Sequence, residues 1–317
     1  MDKSFPIFKK YSYIPVIAGP TASGKSALAL EICRMAEGEL VCADSMQIYK
    51  GLDIGTAKDT KEEIGSVPHY MTDIIEPGTD FSVYDYLNAA IPVIRDILER
   101  GKLPVVCGGT GQYISSLLYG LDYGTGDDEA ELEATAELEE ELEKVGIDVL
   151  YARLVQEDPE AAKLIHPNNT RRVIRALAVH TALGITFSEK NRRSKDKGPE
   201  FPFKVFMIDW DRNELYDRIN KRVGIMIEAG LADETLRLLK SGAARSSTCW
   251  QAIGYKEMLK YLDNEETLEE AADRIRIGTR HYAKRQLTWL RSMGDDVTRI
   301  SPDDPKINAS KVLELCK

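Results

Sequence analysis

No apolar run in this sequence is long enough to span a bilayer, and the opening Met1-Asp2-Lys3-Ser4-Phe5-Pro6 lacks the apolar core of a secretory signal. The first absence excludes a chain of membrane-spanning helices, and the two together predict a cytoplasmic protein. Cysteine is scarce: Cys33, Cys42, Cys107, Cys249 and Cys316 are odd in number, far apart and without a C-x-x-C pair. That argues against a disulfide framework or a zinc site and predicts buried free thiols. Net positive charge is missing too. At −10, with a pI near 5.1, the chain does not coat nucleic acid through overall charge. No internal repeat is present.

What is there is the composition of a globular protein, 43% hydrophobic and 30% charged. Its 317 residues suffice for one large domain and a smaller one. The charge is uneven. Residues 122–150 hold twelve acids and one base, Lys144. Residues 274–291 hold six Lys or Arg and no acid, and residues 171–204 hold nine bases against three acids. These basic stretches can form a nucleic-acid face or simply solvated helix faces.

The most specific motif is Gly19-Pro20-Thr21-Ala22-Ser23-Gly24-Lys25-Ser26, which fits G-x-x-x-x-G-K-[ST]. A strand-like run, residues 14–18, precedes it and a helical pattern, residues 27–32, follows. Backbone amides of such a loop point inward at a helix N-terminus and hold a polyphosphate. Lys25 adds a point charge for the outer phosphates, and the Ser26 hydroxyl can ligate Mg²⁺. The loop says polyphosphate; it does not say nucleotide.

Further strand-like runs lie at residues 40–43, 103–107 and 205–208, with helical patterns between the early ones. The alternation predicts an α/β fold: a parallel sheet flanked by helices, of the P-loop NTPase-like kind. Ligands in such sheets bind beyond the carboxyl ends of the strands. That groups the phosphate loop, Asp44-Ser45, Gly108-Gly109-Thr110 and Asp209 at one mouth. After Gly120 the pattern changes. Gly124-Thr125-Gly126-Asp127-Asp128 reads as a junction, residues 129–145 as an acidic amphipathic helix, and residues 191–199 as a mobile basic loop. The expected organisation is a core in two parts, 1–121 and 200–317, with an all-helical insertion at 122–199.

Asp44 ends a buried run, where a carboxylate can hold Mg²⁺ through water, act as a general base or cap a helix. Asp209 has the same three readings, and the helical pattern beginning at Asn213-Glu214 favours the cap. Glycines at 108, 109 and 111 let the backbone approach a ligand, with the Thr110 hydroxyl alongside. Arg218 and Arg222 share a helix face, so they can clamp a diphosphate or pair with acids such as Asp217. In residues 280–291 cations interleave with aromatics on one helix, a composition suited to phosphate contact and base stacking. There Leu287 and Leu290 are expected in a core and Trp289 as packing. His166 and His281 read as surface or core groups.

With these pieces placed, the chain resembles the tRNA dimethylallyltransferase family of bacterial type, which prenylates N6 of the adenosine beside the anticodon. The resemblance runs nearly end to end. It rests on the phosphate loop, Ala43-Asp44-Ser45-Met46-Gln47-Ile48-Tyr49, Asp53-Ile54-Gly55-Thr56-Ala57-Lys58 and Val67-Pro68-His69-Tyr70. It continues through Gly108-Gly109-Thr110-Gly111, His166-Pro167-Asn168, Ala252-Ile253-Gly254-Tyr255-Lys256 and residues 282–289.

The resemblance implies that Gly19 to Ser26 hold the diphosphate of dimethylallyl diphosphate and that ATP is not used; the loop motif adds Mg²⁺ on Ser26, and helix spacing offers Arg218 or Arg222 as a further diphosphate ligand. The resemblance implies Asp44 as general base and Thr110 as an aid at the target adenosine. It implies tRNA contacts at Asp44, Ser45, Met46 and Gln47 and at Arg171, Arg172, Val173, Ile174 and Arg175; the composition of residues 280–291 adds Lys284, Arg285 and Gln286 as candidate tRNA contacts. The insertion corresponds to the helical domain that clasps the anticodon arm, and a monomer is expected. One departure is visible: the family often has glutamine where Arg171 stands. Competing readings are a phosphate-loop kinase of a small metabolite, a prenyltransferase of free adenine nucleotides, and a non-catalytic RNA-binding protein with a vestigial loop.

Overall fold

A computed structural model describes residues 5–120, 129–196 and 198–317. The junction expected at Gly124 to Asp128 lies outside them. The chain divides into two compact units: Met1–Phe81, Tyr86–Ile114 and Phe201–Lys317 make one, Ser82–Asp85 and Ser115–Glu200 the other. Among the described residues no helix is long and apolar enough to cross a membrane. All five cysteines are free and buried.

The first unit is built on six parallel strands: β1 (Ile14–Ala18), β2 (Glu39–Ala43), β3 (His69–Tyr70), β4 (Pro104–Gly108), β5 (Phe203–Ile208) and β6 (Val297–Ile300). Their order is β3-β2-β4-β1-β5-β6. Strands β1, β2 and β4 are buried at every position, as near-continuous apolar runs with no solvent face should be; the one charge, Glu39 at the start of β2, pairs with Arg100. Pro15 sits inside the central strand, where its missing N–H ought to break a ladder. The register removes the conflict. Ile14 N–H bonds Pro202 on the β5 side, so Pro15 turns toward β4, and the β4 ladder begins only at Val16. The two edge strands were not legible as apolar runs: β3 has two residues, and β6 carries Arg299.

In chain order the helices are α1 (Lys25–Ala36), α2 (Lys61–Ile64), α3 (Val83–Glu99) and α4 (Gly111–Tyr119), with α5 to α9 described below. Then come α10 (Arg212–Glu228), α11 (Leu231–Lys240), α12 (Tyr255–Leu262), α13 (Leu268–Ser292) and α14 (Pro305–Leu315). A separate apolar core joins Tyr49, Leu52, Val223, Tyr255, Met258 and Ile275.

Glycine at the end of β4 is a packing requirement. A Cβ on Gly108 would stand 2.1 Å from the Ala43 carbonyl oxygen in β2. Neither strand can give way without breaking its ladder, so Gly108→Ala is expected to destabilise by about 2–3 kcal/mol or more. A chemical denaturation curve checks this, and an unchanged midpoint would refute it.

The second unit is all helical: α5 (Glu129–Val145), α6 (Ile147–Glu157), α7 (Pro159–Leu164), α8 (Thr170–Leu183) and α9 (Phe187–Asp196). Ala134, Leu138, Leu150, Leu154, Val173 and Leu177 lie at its core. Helix α9 corrects the expected loop at 191–199, since helix continues through Asp196. Acids neutralise its basic sequence: Arg192 pairs with Glu189 at 2.6 Å and Glu160 at 3.0 Å, and Arg193 with Glu189 at 2.8 Å.

Candidate active site

The phosphate loop leaves β1 and enters α1 through Gly24 at φ +88° and Ala22 at φ +63°. Left-handed backbone at a non-glycine residue persists only where the surroundings enforce it. Three distant side chains do so. Gln286 Oε1 accepts from Thr21 N–H at 3.0 Å, Trp210 Nε1 donates to the Ser23 carbonyl at 2.8 Å, and Arg218 Nε donates to the Ala22 carbonyl at 2.8 Å. Gln286 is 6% exposed, and its Nε2 also donates to the Gly109 carbonyl at 2.9 Å. That amide therefore ties the phosphate loop to the end of β4, and its side chain is spent on backbone rather than offered to a nucleic acid.

Arg218 and Arg222 have different surroundings. The Arg218 guanidinium stacks 4.3 Å above the Trp210 ring while holding the loop. Arg222 is half-buried in the cavity wall and makes no hydrogen bond or ion pair among the described residues. Burial, and then the Arg218 charge, lower its pKa. Among the described residues no carboxylate pairs with it, although the charges of Asp59 and Glu63 act the other way, and it lines the same cavity as Lys25 of the phosphate loop.

Beyond β2, the Asp44 carboxylate accepts from Met46 N–H at 2.9 Å and closes a turn. Asp44 caps no helix. Thr110 Oγ1 accepts from Ser45 N–H at 2.9 Å and donates to Ser45 Oγ at 3.2 Å, so it binds the turn directly to the end of β4. Gln47 Nε2 donates to the carbonyls of Thr56 and Ala57 at 3.0 and 3.3 Å, and its Oε1 accepts the Cys42 thiol at 3.3 Å. Tyr282, which spacing did not single out, lies beside them. Burial first, and then the Asp44 charge, push its phenol up, against a hydrogen bond to Thr110.

Two cavities of about 210 and 220 Å³ share Lys25, Ser26, Asp44 and Gln47 as a common wall. The first is of mixed polarity, lined further by Lys58, Asp59, His69 and Asp73 and by Leu40, Cys42, Ile64 and Cys107. The second brings Thr21, Arg222, Tyr282 and Arg285 together with an apolar wall of Ile219, Val223, Met226, Ala252, Ile253 and Ile275. Among the described residues Lys25 Nζ donates only to the Pro20 carbonyl, at 3.5 Å, so its charge remains available to a ligand.

Other expected residues are placed elsewhere. Asp209 is exposed and pairs with Arg299 at 3.6 Å, and the cap of α10 is Asp211, which accepts from Asn213 N–H at 2.7 Å. On α8, Arg171, Arg172 and Arg175 are exposed, whereas Val173 and Ile174 point into the helical unit's core. Lys284 and Arg285 are exposed beside His281 and Trp289 in a surface groove.

The model of the IPP transferase family matches residues 47–293. The chain belongs to that family. A tRNA dimethylallyltransferase of Thermoanaerobacter sp. strain X514 is 48% identical over 280 residues, 88% of either chain. Among solved structures, the tRNA isopentenylpyrophosphate transferase of Bacillus halodurans matches with a TM-score of 0.69 and 40% identity, over 96% of this chain and 95% of that one. A eukaryotic dimethylallyltransferase, captured acting on tRNA, matches with a TM-score of 0.80 and 30% identity, over 92% of this chain and 74% of that one. The P-loop-like parallel sheet is thus the fold of IPP transferases. The loop anchors Gln286 and Trp210 are this member's means of holding it.

Proposed function

We propose that this enzyme transfers the dimethylallyl group of dimethylallyl diphosphate to N6 of the adenosine 3′ of the anticodon, position 37, in tRNA, releasing diphosphate. One observation carries the reading: one cavity is lined both by Lys25 of the phosphate loop, Arg222 and Asp44 and by an apolar wall of Ile219, Val223, Met226, Ala252, Ile253 and Ile275. A short apolar chain bearing a diphosphate uses both parts of that lining, whereas a wholly polar metabolite leaves the apolar wall without a role.

The exocyclic amine of adenine is a weak nucleophile, and in the anticodon stack it is out of reach, so the base must be flipped toward Asp44. The N6 lone pair attacks C1 of the prenyl group. The C1–O bond breaks and its electron pair leaves with the diphosphate, while Asp44 takes the N6 proton. Loop amides, Lys25 and Arg222 receive the charge that builds on the leaving group, and Arg218 keeps the loop in shape for it. Thr110 and Tyr282 hold the turn and the neutral side of the base site.

Magnesium fits the donor set. Ser26 and Asp44 line one cavity and offer hard oxygens, and among the described residues no cluster of three His, Cys, Asp or Glu could hold an ion alone. Such a site suits a cation that shares its shell with substrate phosphates and water. When bound, it supplies further charge stabilisation to the diphosphate. We assign contact with the anticodon arm to the exposed Arg171, Arg172 and Arg175 of the helical unit and to Lys284 and Arg285 of α13.

The test is to incubate the protein with labelled dimethylallyl diphosphate, ATP and unmodified tRNA, separately and together. Label is expected in tRNA without ATP consumption. Label in free AMP but not tRNA, or ATP turnover with no label transferred, would overturn the assignment.

A further inference from the structure

Glu234 lies on α11, outside every motif that marks the site, yet it is 1% exposed. Its carboxylate accepts from three successive backbone amides: Asp53 at 3.1 Å, Ile54 at 2.9 Å and Gly55 at 3.0 Å. A fourth hydrogen bond comes from the Tyr255 phenol at 2.6 Å. It makes no ion pair among the described residues. A buried carboxylate without a cation is expensive unless several donors replace its water. Here the donors are the backbone of one loop, so the carboxylate fixes that loop as firmly as the loop satisfies the carboxylate.

The loop also lines the substrate cavity, where Gly55, Thr56 and Ala57 share the wall with Arg222 and Val223. Its far end is held by Gln47, whose amide takes the carbonyls of Thr56 and Ala57. Gln47 is three residues from Asp44, in the turn that the Asp44 carboxylate closes. The tolerance is small. A Cβ on Gly55 would meet the Tyr255 ring at 2.4 Å, so the loop cannot settle closer to α12.

We infer that Glu234 is a positioning residue: by clamping the amides of residues 53–55 it sets the loop wall of the substrate cavity and, through Gln47, where the Asp44 carboxylate stands relative to Lys25. The inference rests on the reading of that cavity as the prenyl-transfer site. The phosphate cradle is held separately, by Gln286, Trp210 and Arg218. Disturbing Glu234 should therefore spare diphosphate binding and impair the reaction.

Glu234→Gln puts an amide NH₂ where one carboxylate oxygen accepts two donors, so the loop must move. Tyr255→Phe removes a single hydrogen bond without repulsion and serves as the gentler variant. Displacements of about 1 Å at a reacting group can lower rates about 10²-fold. For Glu234→Gln, kcat per folded molecule is expected to fall about 10–100-fold, and for Tyr255→Phe a few-fold, with affinity for inorganic pyrophosphate unchanged. Amides 53–55 are expected to exchange hydrogen about 10-fold faster or more in Glu234→Gln.

A purely structural role would lower the melting temperature but leave kcat per folded molecule within about two-fold of wild type. That result overturns the inference, as does wild-type exchange at residues 53–55. If Glu234→Gln does not fold, an unchanged kcat in Tyr255→Phe has the same force. A wild-type enzyme inactive on prenyl diphosphate and tRNA would instead refute the functional reading, while the exchange and pyrophosphate measurements still decide whether Glu234 clamps the loop.

Discussion

Asp44→Asn is expected to slow prenyl transfer about 10²–10⁴-fold, the usual span for removing a general base. Asparagine is the informative replacement. It keeps the oxygen that accepts Met46 N–H at 2.9 Å, so the turn beyond β2 survives, along with its ties to Thr110. What disappears is an acceptor for the N6 proton. If Asp44 served only to close the turn, the variant would be nearly silent. If it served chiefly to hold magnesium, a higher Mg²⁺ concentration would restore the rate. Single-turnover transfer of labelled dimethylallyl groups, read beside tRNA affinity, separates the three. A rate within about three-fold of wild type, or one recovered by magnesium, would remove Asp44 as the base.

Much of this could be read from the chain because its chemistry is local. The phosphate loop, the carboxylate beyond β2 and the glycines beyond β4 each sit at a strand end, and parallel-sheet topology gathers strand ends at one edge. What could not be read is what holds them. Trp210 reaches Ser23 across 187 residues, and Gln286 reaches Thr21 across 265. No periodicity records such a partnership, so Gln286 read as a nucleic-acid contact when its amide is committed to two backbone groups.

The same holds for charge. The run at 191–199 looked like a basic loop because its acidic partners Glu160 and Glu189 come earlier in the chain, on α7 and in the first turn of α9. Asp209 and Asp211 both precede a helix, and only the hydrogen bond to Asn213 shows which one caps it. Glu234 gave no signal at all: its partners are main-chain amides, which every residue possesses.

Arg218 and Arg222 were equivalent by spacing, and their surroundings separate them in a way that predicts opposite effects on stability and on rate. Arg222 holds a charge against burial and against Arg218, with the charges of Asp59 and Glu63 in partial opposition. Guanidinium does not lose its proton near neutral pH, so the strain is borne by the folded, ligand-free protein. Arg222→Gln should therefore melt higher than wild type without ligand, by about 2–4 °C for each kcal/mol relieved. Transfer should nonetheless fall about 10²–10³-fold, because a preorganised donor to the leaving diphosphate is gone. Inorganic pyrophosphate makes the contrast quantitative. A ligand at about 100 times its Kd stabilises the native state by about 2.7 kcal/mol, so it should raise the wild-type melting temperature strongly and that of Arg222→Gln much less. Were Arg222 only a structural cation, removing it would lower the melting temperature and leave the pyrophosphate shift intact, so one thermal scan with and without the anion distinguishes the two roles.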